Sequence, residues 1–389
     1  MKLQQNYKKV LEIQKKIVIL QHIYRKIMKH TILKSFLVAL LAIMTVGGYA
    51  NTREMQIRCV AFYNLENLFD TIHDEGKNDY EYLPDGGMKW TSFKYENKLN
   101  NMAYAISQLG TDEDPRGAAC VGVSEVENIG CLYDLCRVLK DKYNRHYEPI
   151  LLEGPDRRGV DVGFLYNPAM FKPVSTKGYE LHAHYADGGV VRSRLQLWVS
   201  GYMLDDDRKI VRDKIHISVN HWPSRYGGEE SSRATRDTAA MLCKQVCDSI
   251  YLKEPRAKII VMGDLNDDPF NHSCAVVMGA KKTREEVGEQ GFFNTMWQKL
   301  DRGIGSLAYQ GSWNLFDQIF ISEPLMNAQL EEGKWVYWKS QIFNKDFLTV
   351  QEGKDKGTPF RTVKSGVWQN GYADHYPTMI YLIKTKQVQ

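Results

Sequence analysis

The chain has 389 residues, 43% hydrophobic and 25% charged, which excludes a disordered or fibrous protein and suffices for one sizeable core. Its formal charge of +4 comes from the first fifty residues, where nine Lys/Arg face the single acid Glu12; the rest holds 42 basic and 46 acidic residues. The net −4 of that body excludes the broad basic footprint of a dedicated nucleic-acid binder.

In chain order, the first signal is a targeting segment. Lys29, His30 and Lys34 precede an apolar run over residues 36–46, and Gly47-Gly48-Tyr49-Ala50 supplies a small-x-small cleavage pattern. The run is short for a membrane span, although an uncleaved N-terminal anchor is the alternative reading. No cysteine stands where a lipid would be attached just after it, which argues against a lipid anchor. Met28 makes a natural start, so 1–27 is read as an upstream extension or else a basic helix, 28–50 as a signal peptide and 51–389 as one domain, exported to the periplasm or secreted. No Pro-rich, Gly/Ser-rich or single-charge run divides the chain after residue 60.

Residues 57–63 predict a strand and 94–109 a helix, with Leu99, Met102, Ala103, Ile106 and Leu109 on one side. Residues 118–124 predict a buried strand and 132–139 a helix. Residues 162–166, 195–202 and 214–220 predict strands. A long helix is expected over 231–252, then strands over 258–262, 315–322 and 378–383. The alternation predicts mixed sheets covered by helices. Seven cysteines, an odd number, leave at least one without an intramolecular partner. Cys59 and Cys120 sit in apolar runs and read as core, as do Cys243 and Cys247 on one helix face. An oxidising compartment would permit disulfides.

The strands end in polar groups. The first runs into Asn64 and Glu66, the second into Glu125, a later one into His221, and 258–263 into Asp264 and Asn266. Open sheets place ligand sites at such ends. Asn64, Glu66, Glu125, Asp264 and Asp374 offer hard oxygen donors suited to magnesium, manganese or calcium. Each alone is an ordinary turn or cap residue; the joint pattern points to chemistry. In Gly263-Asp264-Leu265-Asn266, the Asp can take a proton or hold water and the Asn can donate to an oxyanion. Asp374-His375 sets a ligand beside a titratable imidazole. Asn220-His221-Trp222-Pro223-Ser224-Arg225 adds a second imidazole and a cation. Asp317 lies inside an apolar strand and needs a buried partner, for which His375 is the expected one.

These motifs resemble, in order and in type, those of the endonuclease/exonuclease/phosphatase superfamily, over about residues 57–383. Asn64 with Glu66 is similar to its first Asn-x-acid motif and Glu125 to its metal-binding Glu. The segment 158–164 resembles the one that enters the active face, and His221 the phosphate-contacting His of the deoxyribonuclease branch. Asp264 and Asn266 match Gly-Asp-x-Asn, Asp317 the Asp that orients the late His, and Asp374-His375 the closing Ser-Asp-His, with Ala373 in place of Ser. The resemblance implies an α/β fold, a four-layer α/β sandwich of two packed mixed β-sheets flanked by helices. It implies Mg2+ or Mn2+, with Ca2+ open, held by Asn64, Glu66, Glu125 and Asp374. His221, Asp264, Asn266, Asp317 and His375 are the expected catalytic set, with Arg158 and Arg225 on the substrate. The base is left open between Asp264 and His375.

Three functions follow: an exported nuclease acting as a monomer on a phosphodiester of nucleic acid, an exported phosphatase or phosphodiesterase of lipid head groups, inositol phosphates or other small esters, and a binding protein on a dead scaffold. The aromatic residues around Tyr80–Tyr82 and Trp335, Tyr337 and Trp338 keep the second open. The presence of Glu125, Asp264, Asn266 and His375 opposes the third. His182 and His184 read as a loop feature. Arg192, Arg194, Arg233 and Arg236 suit a substrate rim, with solvated surface charge the preferred reading.

Overall fold

The structure, a computed structural model, describes residues 16, 20 and 55–385, except 186, 208, 209, 329, 331 and 332. The targeting segment lies outside the described residues. Among them, no helix is long and apolar enough to cross a membrane.

The chain begins with β1 (Met55–Leu68), α1 (Ser92–Gln108), β2 (Cys120–Val126) and α2 (Ile129–Tyr143). Then come β3 (Glu148–Leu151), β4 (Asp161–Tyr166), β5 (Phe171–Tyr179), β6 (Gln196–Leu204) and β7 (Ile210–His221). The long helix α3 (Glu229–Tyr251) leads to β8 (Lys258–Asp264), β9 (Phe292–Asn294) and the single turn α4 (Trp297–Leu300). A ribbon of β10 (Leu307–Tyr309) and β11 (Ser312–Asn314) precedes β12 (Asp317–Ser322), α5 (Glu323–Met326) and β13 (Val336–Ile342). A second small ribbon, β14 (Val363–Lys364) and β15 (Val367–Trp368), comes before β16 (Thr378–Thr385).

Two six-stranded sheets result, in the orders β13-β16-β1-β2-β4-β3 and β5-β6-β7-β8-β12-β9. Each has one parallel pair, β1 with β2 and β7 with β8, among antiparallel neighbours. The connections inside both parallel pairs carry helices, as a parallel crossover requires. On β8, Ile260 and Met262 join the core between the sheets, while Ile259 and Val261 pack with Ala239, Cys243 and Cys247 of α3. Period-two alternation thus buries both faces of one strand, which is why its sequence is an unbroken apolar run. On the other sheet, Leu99, Met102, Leu132 and Leu135 of α1 and α2 pack against the same central core. The fold is the expected α/β sandwich of two mixed sheets flanked by helices.

Local chemistry fixes the helix ends. The Asn128 side chain accepts from the Cys131 N–H at 3.1 Å, and Asn144 ends α2 in the left-handed region at φ 52°. Helix α3 follows Gly227-Gly228 and carries Glu229 and Glu230 in its first turn, favourable at a helix N-terminus.

Strand β1 runs past the predicted 57–63 to Leu68, with a register shift between Asn64 and Leu68. β5 is absent from the sequence reading because it is an exposed edge, polar and interrupted at Pro173, so it has no hydrophobic period. β13 and the three-residue strands are too short or too irregular to announce themselves. All seven cysteines are buried free thiols, so the permitted disulfides are not formed.

Gly263 faces Asn220 across the parallel pair. A Cβ at Gly263 would lie 2.2 Å from the Asn220 carbonyl oxygen and 2.8 Å from its carbon. Backbone cannot yield as a side-chain end can. Gly263→Ala is expected to destabilise the protein by about 3 kcal/mol, the upper part of the overpacking range, and to displace Asp264. Chemical denaturation of the variant checks this, and wild-type stability would refute it.

Candidate active site

Register brings three reactive side chains to one level of the second sheet. His221 pairs with Asp264 on β7 and β8, and Asp317 pairs with the same Asp264 from β12. The first sheet supplies Asn64, opposite Ser124, and then Glu125 at a bulge where its φ is 59°. Such a bulge re-aims a side chain that regular pleating would turn away.

The contacts converge on Asp264. Its Oδ2 accepts from Asn64 Nδ2 at 3.0 Å and lies 3.6 Å from His221 Nε2 and 3.9 Å from His375 Nε2. Its Oδ1 accepts from the Asn266 N–H at 3.0 Å, a bond that Asn266 makes at φ 51°. Glu125 Oε1 accepts from the same Asn64 amide at 3.3 Å and lies 3.9 Å from His221 Nε2. The expected Asp317–His375 pair forms, with His375 Nδ1 at 2.6 Å from Asp317 Oδ2. The loop before β10 fixes that pair from both ends: Ser306 Oγ accepts from the Asp317 N–H at 3.3 Å, and the Ser306 carbonyl accepts from the Tyr376 N–H at 2.7 Å.

Burial and charge divide the groups. Burial raises the Asp264 carboxyl to about 7, with His375 opposing the rise and Asp317 and Glu125 adding to it. Burial alone would lower His375, yet Asp317, Asp374 and Asp264 together hold it well above the ordinary imidazole value, so it is the imidazolium at neutral pH. His221 goes the other way: burial, then Arg194, Arg158 and His375, push it well below, so it is neutral. Its Nδ1 is buried without a partner.

Two groups of donors could hold a metal ion: Glu125, His221 and Asp264, and Asp264, Asp317 and His375. The first suits a hard cation better. Its two carboxylates converge on one neutral amide and one neutral imidazole, so negative charge is left unbalanced there. In the second, the His375 imidazolium already answers the carboxylates. A third group, Asp70, Glu127 and Cys131, lies outside this cluster.

The remaining predicted residues separate. Glu66 is not gathered with Asn64 and Glu125. Its Oε2 accepts from the Thr362 N–H at 2.6 Å and its Oε1 from Arg361 Nε at 3.0 Å. Asp374 accepts from Arg361 Nη2 at 3.0 Å, so a guanidinium that sequence reasoning missed links these two expected ligands. Burial, then Asp374, raises Glu66 to about 7. Arg225 does not line the cleft. It binds the Asn266 carbonyl at 2.9 Å, Asn271 at 2.9 Å and Glu229 at 2.8 Å, and its guanidinium stacks 4.5 Å from the Phe316 ring centroid. It holds the Asp264–Asn266 turn rather than facing substrate. Arg158 does line the cleft, as do Arg192 and Arg194; Arg192 is exposed, as the preferred surface reading has it, whereas Arg194 is buried. Arg236 is buried 2.7 Å from Asp267, and Arg233 stays on the helix surface with Glu230 and Asp237. His182 and His184 are exposed and join no ligand group among the described residues. Tyr82 stacks on Phe69 at 4.3 Å instead of facing the cleft.

Two imidazoles and several carboxylates thus gather at the strand ends of an α/β sandwich. The sequence profile described as "Endonuclease/Exonuclease/phosphatase family" matches residues 59–384, and the chain belongs to that family. Among solved structures it is similar to a family member from Bacteroides thetaiotaomicron (13% identity, 86% of this chain and 100% of that one, TM-score 0.49). It is also similar to a mannosyl-6-phosphatase of Bacteroides thetaiotaomicron (13% identity, 84% and 99%, TM-score 0.48) and to a truncated Caenorhabditis elegans TDP2 (15% identity, 84% and 97%, TM-score 0.45). No curated protein matches the chain.

A cation can bind Asp264 only after its proton leaves. With that carboxyl raised to about 7, Mn2+ affinity is expected to rise with pH from 6 to 8 and binding to release a proton. Calorimetry in buffers of different ionisation enthalpy measures the release. Glu125→Gln is expected to weaken Mn2+ binding at least about 10-fold; unchanged affinity would remove Glu125 from the ligand set.

Proposed function

We propose that this protein is an exported, divalent-metal-dependent phosphodiesterase that cleaves nucleic-acid strands. The observation that carries the reaction class is the approach of two imidazoles of opposite protonation to one Asp264 oxygen, at 3.6 and 3.9 Å. Magnesium or manganese, held by Glu125 and Asp264 with Asn64 beside them, would supply positive charge against the phosphate oxygens.

The chain's own groups supply the rest. His375 carries a proton on Nε2, oriented by Asp317 through Nδ1, and presents it to a phosphate oxygen or a leaving oxygen. His221, neutral, donates its Nε2 hydrogen to the same phosphate, which leaves the cation to the two carboxylates and not to this ring. Asp264, once it has given up its own proton, holds the cation through one oxygen and positions the attacking water with the other, which makes it the base this reading favours over His375. Asn266 lines the cleft, with one amide hydrogen engaged by the Trp222 carbonyl at 3.0 Å and the other available to an oxyanion. The nucleic-acid reading is supported by a cleft of about 610 Å3 lined by four arginines and by Tyr185 and Tyr226. Export rests on residues 28–50 alone. Finding the mature N-terminus near residue 51 in an extracytoplasmic fraction would support it, and an intact N-terminus in the cytoplasm would overturn it.

The direct test is hydrolysis of DNA, RNA, a phosphomonoester and sphingomyelin by residues 51–389, with Mg2+ or Mn2+ and again with chelator. Chelator-sensitive cleavage of DNA or RNA is expected. Activity confined to the monoester or the lipid would overturn the nucleic-acid reading. His375→Ala and His221→Ala are each expected to lower kcat by at least about 100-fold, the lower end for lost acid–base catalysis. Wild-type turnover in either would remove that histidine from the mechanism.

A further inference from the structure

The cleft has two chemically different linings. Glu125, His221, Asp264 and His375 form the reaction cluster, while the loops before β4 and β6 contribute Arg157, Arg158, Arg192 and Arg194. One phosphodiester carries a single negative charge. Four carboxylates, Glu125, Asp156, Asp187 and Asp264, line the same cleft, but Glu125 and Asp264 sit with the two histidines, so the guanidinium groups are gathered on the other side. Asp156 faces two of them, with Oδ2 at 3.3 Å from Arg194 Nη1 and Oδ1 at 3.6 Å from Arg158 Nε. Asp187 accepts the Gly189 N–H at 2.9 Å and makes no ion pair among the described residues. Arg157 and Arg192 are exposed and have no carboxylate partner among the described residues.

Exposed arginines are ordinarily just solvated. Arg194 is not of that kind. Its side chain is 6% exposed, Nη2 donates to the Trp222 carbonyl at 3.1 Å, and Nε is buried with no partner. A buried cation with an unused donor is costly unless something answers it. Its carbonyl partner, Trp222, also binds the Asn266 amide, so this cation is fastened directly to the reaction cluster. Arg157 and Arg192, without a carboxylate partner among the described residues, thus present local positive charge in a body whose net charge is −4. Tyr185 and Tyr226, 45% and 87% exposed, line the same cleft and offer ring faces on which bases stack.

We infer that the arginine-lined part of the cleft is a second phosphate subsite, in which Arg157, Arg192 and Arg194 hold a phosphate flanking the scissile one on the same strand. Guanidinium forks suit phosphate oxygens, two bonds at a time. This rests on the phosphodiesterase reading of the reaction cluster, and it makes a strand with a phosphate next to the one cut a better substrate than an isolated diester.

Arg194 is embedded in the fold, so the test uses the exposed pair, Arg157→Ala with Arg192→Ala. Kinetics are measured on a thymidine octanucleotide and on bis(p-nitrophenyl) phosphate, a diester with no second phosphate. KM for the octanucleotide is expected to rise at least about 10-fold. With chelator present and no turnover, octanucleotide binding is expected to weaken, and the slope of log K against log salt to fall by about 1.4, two contacts at 0.7 each. Both constants on bis(p-nitrophenyl) phosphate stay as in wild type. An unchanged octanucleotide KM, or equal losses on both substrates, overturns the subsite. If wild type cleaves neither diester, the phosphodiesterase reading fails by itself, and the chelated binding titration still decides: affinity lost in the double variant sustains the subsite and affinity retained overturns it. Thymidine 3′,5′-bisphosphate competing as strongly as the octanucleotide would overturn the strand as the source of the phosphate.

Discussion

Asp264 is a carboxylate placed where water hardly reaches, and the organisation around it follows from that. An ionised carboxylate taken out of water needs donors or cations to offset the loss. Here they come from three directions: the Asn64 amide from the other sheet, the Asn266 N–H from its own turn, and two imidazoles. The close packing of β7 against β8 at Gly263 sets where that carboxylate begins. Arg225, outside the cleft, clamps the turn that follows. The acid is thus held on rigid elements and not on a free loop.

The two histidines show how environment divides identical side chains. Both are buried. His375 has Asp317 at hydrogen-bond distance and Asp374 and Asp264 nearby, and the carboxylates outweigh desolvation. His221 has an orphan Nδ1 and faces Arg194 and Arg158, so desolvation and like charge act together. One imidazole arrives protonated and the other neutral; the neighbour Asp374 hints at the first in the sequence, while the arginines that face His221 come from distant segments.

A second charged network borders the first. Lys98 of α1 is fully buried, bonded to Thr362 Oγ1 and the Tyr372 carbonyl, and Arg361 joins Glu66 to Asp374. Burial lowers Lys98 to about 8, and Glu66 and Asp374 restrain the fall. This network fastens residues 360–374 to β1 and α1. It gives Glu66 a positioning role that its place beside Asn64 in the sequence conceals, because the register shift in β1 turns the two side chains to different neighbours.

The sequence alone determined mixed sheets covered by helices, the resemblance added the sandwich, and most of the residues that gather around Asp264 could be read from strand ends. Strands buried on both faces must be apolar throughout, and a polar residue that ends such a run has few places to be other than a sheet edge. Asn64, Glu125, His221, Asp264 and Asp317 were legible for that reason, and the Asp317–His375 pair because an acid within an apolar strand demands a partner. The edge strand β5 was illegible because an exposed strand has no apolar period. Only the tertiary structure decided the partners of the arginines and the fate of Glu66. Nothing in the local sequence distinguishes Arg225, bound to the Asn266 carbonyl, from Arg194, aimed with an unused Nε beside the cleft. Apolar burial is a property of each residue and its period along the chain, whereas the partner of a charge depends on what distant segments bring within a few ångströms.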